Sequence, residues 1–316
     1  METDDRALHG ANILEGVVMD AWFDAARRHH GEVDAPALTR QALGGGRVRL
    51  FASDLIPHSL ANRAIGLGTG PGPVEALIEE VERFAAAHAR AGLWVDLPAL
   101  RSSRWDEWLA ARAALPTGVG RYVLVHRGEL APIARSGHRV SRIAAHESER
   151  VGGLLARGLG LPGEAAAPFG TLLAAPGWHV FVAREDDRPV AAATLFVAGD
   201  EGLLGPAATE PAARRRGAHL ALTATLIRAA ADLGCRALFA TVPDAGSGDG
   251  APVVRNLACC GFRLMATTAG FVLPPVPASA AASAPVRSPR HPRERRRESA
   301  HVRRAQGDDR PLAGDR

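Results

Sequence analysis

The chain has 316 residues, 47% of them hydrophobic, a length that favours two domains and a composition that can fill two cores. Its 38 basic side chains are all arginines, set against 34 acidic ones for a formal net charge of +4, and the absence of lysine excludes Schiff-base and lysine-nucleophile mechanisms. No apolar run approaches the ~20 residues that a membrane-spanning helix needs, and the acidic start is unlike a signal peptide, so we expect a cytoplasmic protein with no membrane partner.

The three cysteines do not form a metal-binding pattern. Cys259 and Cys260 are adjacent, which is too close for an ordinary disulfide, and Cys235 is not at a metal-ligand spacing from either. We therefore expect reduced, partly buried thiols and no metal cofactor.

Residues 11–127 alternate between helical and strand patterns. Apolar side chains at Leu14, Val17, Val18, Ala21 and Trp22 follow the i, i+3, i+4, i+7 spacing of an amphipathic helix. The elements predicted after that helix are strands at 48–52 and 62–67, a glycine-rich turn at 68–73, a helix at 74–91, a strand at 93–97, a helix at 104–113 and a strand at 121–126.

Residues 140–273 show the same alternation more clearly. The predicted elements are a helix at 146–159, a hairpin of strands at 178–184 and 189–197, a strand at 202–209, a helix at 217–233, a strand at 236–242, a short helix at 253–260, and a closing pair of strands at 262–267 and 270–273. Gly205 and Pro206 interrupt the strand at 202–209, and these residue types inside a strand mark a bulge or the end of ladder pairing. We therefore expect the sheet to open there and expose backbone groups to a ligand.

The order strand, glycine-rich turn, long helix, strand, short helix, strand occurs in both halves of the chain. It predicts a duplicated fold, although the residue identities do not clearly repeat. The fold class expected is α/β (α+β), with a mixed, mostly antiparallel twisted sheet flanked by helices in each half.

The tail at residues 276–316 is rich in Pro, Ala, Ser and Arg and almost free of large apolar side chains. Such a segment cannot bury enough surface to offset its ordering entropy, so we expect it to be disordered. Its ten arginines against five acidic residues give a net charge of +5, which leaves −1 for the rest of the +4 chain. Binding of the arginines to RNA or DNA is one interpretation, and a solvated extension without a nucleic-acid partner is the simpler one, which we favour.

The most informative segment is the arginine-glycine turn at residues 207–220, which reads as a strand end, a turn and a helix start. Backbone N–H groups in such a turn lack intrahelical partners and point at an incoming anion, and the helix dipole adds positive charge. Gly217 lets the backbone approach a ligand closely, and the arginines at 214–216 supply charged donors. Taken alone, such an arginine-glycine segment is more often a solvated helix start than a phosphate site.

With its flanking segments, the C-terminal half resembles the GNAT superfamily of N-acetyltransferases. The signature of that family, Arg or Gln, two residues, Gly, one residue, then Gly or Ala, corresponds here to residues 214–219, with His219 standing where a small residue is usual. Arg255-Asn256 and Gly261-Phe262 resemble the pair that ends the fold in one subgroup. The resemblance covers about 135 residues in the family's order.

The N-terminal half, on the segment at 57–68, resembles the leading half of two-domain members of the same superfamily. It lacks the arginine-glycine signature, so we interpret it as a degenerate copy that packs against the catalytic half and helps to form the acceptor cleft. The predicted domains are therefore a degenerate GNAT-like domain at 1–135, an acetyltransferase domain at 136–275 and the disordered tail at 276–316.

The resemblance implies direct transfer of an acetyl group from acetyl-CoA, as co-substrate, to an amine in a ternary complex. The strand edge before the turn would pair with the pantetheine amides, the turn would hold the pyrophosphate, and Asn256 would lie beside the pantetheine arm or act as a local helix cap. The predicted cofactor-binding residues are Ala207, Ala208, Thr209, Arg214, Arg215, Arg216, Gly217, Ala218, His219 and Asn256.

Proton transfer has weaker candidates. Glu201 and Glu210, which flank the strand at 202–209, are the predicted catalytic bases, and His179 is a further candidate. The tyrosine that usually protonates the thiolate in this family stands four residues before the Gly of Gly-Phe, a position held here by Leu257. The sole tyrosine, Tyr122, belongs to the other half of the sequence.

Two other interpretations of the sequence compete with an acetyltransferase. The missing tyrosine and the degenerate half would also suit a non-catalytic acyl-CoA-binding or regulatory module. A dinucleotide-binding Rossmann domain is disfavoured because the turn lacks Gly-x-Gly-x-x-Gly. The expected acceptor is a small molecule or a peptide amino terminus, and the expected assembly is a monomer or a homodimer.

Overall fold

A computed structural model describes residues 2–30, 38–70, 72–128, 137–243 and 250–275, and in this part of the chain eleven strands form one continuous sheet. The N-terminal half contributes α1 (Glu2–His30), β1 (Leu38–Leu43), β2 (Val48–Ser53), β3 (Arg63–Ile65), α2 (Val74–His88), β4 (Leu93–Pro98), α3 (Ser103–Ala111) and β5 (Leu115–His126). The C-terminal half contributes β6 (Arg139–Arg142), α4 (Ser148–Gly158), α5 (Ala166–Leu173), β7 (Trp178–Glu185), β8 (Arg188–Ala198), β9 (Glu201–Thr209), α6 (Ala218–Asp232), β10 (Ala237–Pro243), α7 (Gly250–Cys259) and β11 (Arg263–Leu273).

The two halves repeat one order of elements. β1, β2, β3, α2, β4, α3 and β5 correspond in sequence to β7, β8, β9, α6, β10, α7 and β11. In both halves the first three strands are antiparallel, and the third strand runs parallel to the fourth. The predicted duplicated fold is therefore present, and its two sheets are joined into one.

The join is a reciprocal exchange of the last strands. The sheet order is β1-β2-β3-β4-β11-β5-β10-β9-β8-β7-β6, so β11 pairs with β4 of the N-terminal half and β5 pairs with β10 of the C-terminal half. The exchanged strands also pair with each other, antiparallel, at the centre of the sheet. Each half thus completes the sheet of the other, and both lie within one compact unit, Met1–Ala278.

Helices cover both faces of this sheet. The apolar side chains of α2 and α3 pack on one face of the N-terminal strands, and those of α6 and α7 pack on one face of the C-terminal strands. On the opposite face, α1 packs against α5, with the rings of Trp22 and Phe169 5.3 Å apart, and α4 packs beside them. The side with α6 and α7, where the sequence predicts a cofactor site, is called the cofactor face, and the side with α1, α4 and α5 is called the α1 face.

A buried group of charges joins α1 to the centre of the sheet. On the α1 face, the Glu15 carboxylate accepts hydrogen bonds from Arg121 and lies 2.9 Å from Arg63. Asp96 lies 2.9 Å from the Nε of Arg121 and 3.1 Å from Arg63. The four charges cancel, and the side chain of Arg121 is only 1% exposed. Burial by itself raises the pKa of Glu15, but Arg121 and Arg63 outweigh it and hold that pKa below its ordinary value.

The structure differs from the sequence predictions in several elements. The closing pair of strands predicted at 262–267 and 270–273 is a single strand, β11, whose register against β5 shifts at irregularities near Met265, Thr268 and Phe271. β5 begins six residues earlier than predicted, and β1, β6 and α5 were not predicted. The domain boundary at residue 135 and the tail at 276–316 lie outside the described residues and stay predictions.

Replacing the buried carboxylate should destabilise the fold. We expect Glu15→Gln to lower the free energy of unfolding by about 3 kcal/mol at neutral pH, because it leaves two buried guanidiniums with one carboxylate. Because the folded pKa of Glu15 is lowered, its contribution is present above the ordinary pKa of 4.5 and declines as the pH falls below that value. Urea denaturation of variant and wild type at several pH values measures both effects.

The control variant is Glu164→Gln, which changes an exposed carboxylate to the same amide. It should alter the free energy of unfolding by no more than about 0.5 kcal/mol. Equal stability of Glu15→Gln and wild type at neutral pH would contradict a stabilising role for the charge cluster.

Candidate functional site

The sheet opens between β9 and β10. These parallel strands pair only from Ala237 opposite Glu201 to Ala240 opposite Leu204. Beyond Leu204, β9 continues to Thr209 with pairing to β8 alone, so its edge that faces β10 has no ladder partner among the described strands. Ala207, Ala208 and Thr209, predicted to bind cofactor, lie on this free edge.

A β-bulge produces the opening, as the sequence predicts. From Leu204 to Ala207 β9 advances three residues, while the facing positions on β8, Leu195 and Ala193, are two apart. The extra residue lies at Gly205-Pro206, where the hydroxyl of Thr194 donates to the Pro206 carbonyl at 3.1 Å.

The bulge requires glycine at position 205. A Cβ there would overlap the Thr194 hydroxyl and would lie 3.2 Å from the ring of Trp178. The indole nitrogen of Trp178 is buried and has no hydrogen-bond partner among the described residues, so a donor lies unused beneath the bulge on the α1 face. Close packing on this face leaves the cofactor face as the open side of the split.

The arginine-glycine turn lies at the open end of β9 and starts α6. Arg215 and Gly217 both have left-handed backbones, with φ values of +62° and +84°, and α6 begins at Ala218. Left-handed residues next to a helix start turn successive N–H groups toward one side and make a concave anion site. The first N–H groups of α6 lack intrahelical acceptors and point the same way.

The three arginines of the turn are exposed. Arg214 donates through Nε to the Thr209 carbonyl at 3.2 Å, and Arg216 lies 3.3 Å from the Glu185 carboxylate. Exposed ion pairs of this kind contribute at most ~1 kcal/mol, so an arriving polyanion can replace them. The structure thus brings together the predicted residues 214–218.

His219 lies in the first turn of α6, and its part in cofactor binding stays a prediction. Its ring is buried against α7, with Nδ1 3.4 Å from the side-chain nitrogen of Asn256. Burial lowers the pKa of His219, so the ring is neutral at physiological pH and carries no charge for a phosphate. The contact links the first turn of α6 to Asn256 of α7, and the predicted cofactor contact of Asn256 stays a prediction.

The candidate bases are not close together. Glu201 is at the paired end of β9, four residues before Gly205, which is roughly 13 Å along an extended strand. Glu210 follows the open end of β9, and its carboxylate lies 2.5 Å from Arg188. His179 lies on β7, and its pKa is lowered by partial burial.

Sequence reasoning missed a contact that the N-terminal half makes with the split. Thr241 is the first residue of β10 beyond the last pair with β9, and its side chain is close enough to Glu15 of α1 to help lower the pKa of that carboxyl. A carboxylate of the charge cluster therefore lies beside the split on the α1 face. No local pattern could reveal it, because the contact joins opposite ends of the folded sequence.

The described residues contain no helix long and apolar enough to cross a membrane, and no group of acidic, His or Cys side chains arranged to hold a metal ion.

Comparison with known proteins matches residues 158–245 to the family model of the acetyltransferase (GNAT) domain. The C-terminal half of the chain therefore contains a segment that is similar to the GNAT acetyltransferase domain. The matched segment contains the bulged strand β9, the arginine-glycine turn, α6 and β10, which are the elements that form the split. No curated protein matches the chain in sequence.

Solved structures extend the likeness to both halves of the fold. A GCN5-related N-acetyltransferase from Kribbella flavida is 20% identical with a TM-score of 0.53, and the match covers 80% of this chain and 95% of that one. A GCN5-related N-acetyltransferase from Sphaerobacter thermophilus is 15% identical, with a TM-score of 0.51 and coverages of 72% and 81%. A tandem GNAT protein from the clavulanic acid biosynthesis pathway is 15% identical, with a TM-score of 0.50 and coverages of 82% and 95%. At these identities the likeness concerns the fold alone.

Proposed function

We propose that this chain is an acetyl-CoA-dependent N-acetyltransferase that transfers the acetyl group directly to an amine of a small molecule or of a peptide amino terminus. The observation that carries the proposal is the split between β9 and β10, which leads straight to the anion site at the start of α6. An elongated cofactor with amides along its arm and a pyrophosphate at one end fits both features at once.

The cofactor would lie along the free edge of β9. Its pantetheine amides would pair with the backbone of residues 207–209 as an added strand does. Its pyrophosphate would accept from the N–H groups of residues 215–218 and from the exposed guanidiniums of Arg214, Arg215 and Arg216. Asn256, held by His219, would bond to the pantetheine arm.

In the ternary complex the acceptor nitrogen attacks the thioester carbonyl at the bulge. Backbone N–H groups at the split would stabilise the charge that develops on the carbonyl oxygen, because they are fixed before the reaction. An ammonium acceptor must first lose a proton. We retain Glu210, at the open end of β9, as the proposed base, directly or through water, in preference to Glu201 at the closed end.

The second candidate is an acyl-CoA-binding or regulatory module without turnover. Leu257 favours it, because it places an apolar side chain, 3% exposed, where the family usually has the tyrosine that protonates the thiolate. The two functions share the cofactor site and differ only in catalysis. We propose that the protein acts on an amine acceptor in the cytoplasm and does not bind nucleic acid. We propose that it acts as a monomer or a homodimer.

Two glycines of α6 provide a test of the cofactor site. Gly217 and Gly234 flank the helix with nearly equal φ values of +84° and +83°. Replacing either with alanine should cost roughly 1–2 kcal/mol of stability through the same backbone strain. Only Gly217→Ala should also weaken acetyl-CoA binding, by at least about tenfold (~1.4 kcal/mol), as measured by calorimetry. Equal acetyl-CoA affinity in the two variants would contradict the proposed pyrophosphate site.

The arginines of the turn should contribute to acetyl-CoA binding. We expect Arg214→Ala and Arg216→Ala each to weaken acetyl-CoA binding about tenfold through loss of a charge-assisted contact. Arg228→Ala, which removes an exposed arginine elsewhere on α6, is the control and should bind acetyl-CoA normally.

Amine-dependent release of free CoA by the wild type, across a panel of small amines and peptides, tests catalysis. Acetyl-CoA binding without release of CoA from any amine would favour the binding module.

A further inference from the structure

The reaction proposed above needs a proton donor for the sulfur of CoA. When the carbon–sulfur bond breaks, its electron pair stays on sulfur, and the thiolate leaves readily only if a nearby acid protonates it. The inference that follows rests on the proposed function. It concerns which side chain of this chain supplies that proton.

The exchanged strand β5 brings the only tyrosine of the chain next to β10, one wall of the split. Tyr122 lies opposite Val242 of β10, two residues beyond Ala240, where pairing between β9 and β10 ends. On its other side it lies opposite Thr267 of β11. A residue of the N-terminal half is therefore a neighbour of the strand that forms one wall of the cofactor split.

Tyr122 points to the cofactor face. Alternate residues of a strand point to opposite faces, and the neighbours Arg121 and Val123 contact α1 and its apolar cluster on the α1 face. Tyr122 packs instead against the apolar cluster beneath α6 and α7, which includes Val242 and Leu257. The phenol ring thus lies in the same apolar cluster as Leu257, whose position holds the usual acid in the family.

Three other titratable groups on this face, His219, Cys260 and Cys235, are poor proton donors. His219 is kept neutral by burial, and a neutral imidazole releases its remaining proton very reluctantly. Burial raises the pKa of the Cys260 thiol to about 11. Cys235, whose pKa is also raised by burial, lies beside Gly202 near the closed end of β9. A phenol, with an ordinary pKa of about 10, is protonated at neutral pH and is stable in an apolar setting.

We propose that Tyr122, supplied by the N-terminal half through strand exchange, is the acid that protonates the CoA thiolate. The amine lone pair forms the carbon–nitrogen bond, the carbon–sulfur pair moves to sulfur, and the phenol proton moves to that sulfur. Solvent, which receives the proton lost by the acceptor ammonium, returns one proton to the tyrosinate. The products are the amide and CoA with its thiol, and no other reactant is needed.

Because Tyr122 is the only tyrosine, its ionisation can be followed without turnover through the absorbance of tyrosinate. The titration is run on the full chain alone, with saturating CoA and with desulfo-CoA, which differs from CoA by lacking the sulfur. A thiolate beside the phenol disfavours a second negative charge, so CoA should raise the titration midpoint of Tyr122 by at least about half a unit over desulfo-CoA. The other titratable groups on this face, His126, His219 and Cys260, do not contribute to tyrosinate absorbance, and Tyr122→Phe provides the blank.

Kinetics supply the second measurement. Tyr122→Phe removes only the hydroxyl, so the Kd of acetyl-CoA should stay within about twofold while kcat for acetyl transfer falls about 100-fold. The alkaline limb of the pH–rate profile that reports the phenol should disappear with it. In the background of Tyr122→Phe, Leu257→Tyr places a phenol at the family's usual position and should recover part of kcat.

The outcomes separate this inference from the proposed function. Identical titrations with CoA and desulfo-CoA, or full kcat in Tyr122→Phe, would overturn the role of Tyr122. Absence of acetyl transfer by the wild type on every amine tested would overturn the proposed function. In that case the titration with CoA and desulfo-CoA still decides whether Tyr122 lies at the sulfur.

Discussion

The pairing of β5 with β11 is the contact on which the rest of the molecule depends. These are the last strands of the two halves, and each lies between the other and a strand of the opposite half. Their backbones approach closely where they cross, since a Cβ on Gly270 would lie 2.7 Å from the Cα of Gly120. A side chain at either glycine would push β5 and β11 apart and would break the sheet at the join between the two halves. The split between β9 and β10 therefore has one wall, β10, whose outer neighbour comes from the N-terminal half.

The buried charge cluster adds specificity to this pairing. Charges removed from water are costly unless they find partners, so a shift of β5 by one residue would place Arg121 on the cofactor face, away from Glu15 and Asp96. Apolar residues would tolerate such a shift more easily, because they can repack. We infer that the cluster's main contribution is to select this register of β5. The same register fixes Tyr122, the next residue, on the opposite face of the sheet.

Much of the C-terminal half could be predicted from local patterns. The hairpin of β7 and β8, the bulge at Gly205-Pro206 and the helix after the arginine turn follow from alternation, turn residues and helical spacing, which act over a few positions. The strand exchange could not be predicted, because the pattern of β5 suits any antiparallel neighbour with an apolar face. Tyr122 belongs to the N-terminal half of the sequence, and only the strand exchange places it next to β10 of the C-terminal half. His219 matched a motif position, but its burial against Asn256 depends on the packing of α7.

The buried charge cluster also lies between two corresponding openings of the sheet, one between β3 and β4 and the other between β9 and β10. In the N-terminal half, β3 and β4 pair only at Arg63 and Ala64, and the next residue of β4, Asp96, forms an ion pair with Arg63 across that opening. In the C-terminal half the corresponding residue of β10 is Thr241, which leaves the opening uncharged and helps to lower the pKa of Glu15. Glu15 therefore lies beside both openings. It forms an ion pair with Arg63 at the opening between β3 and β4, and it lies near Thr241 at the opening between β9 and β10. The N-terminal half has no arginine in its turn at residues 68–73, but it supplies β5 and α1, which complete the sheet and the α1 face of the C-terminal half.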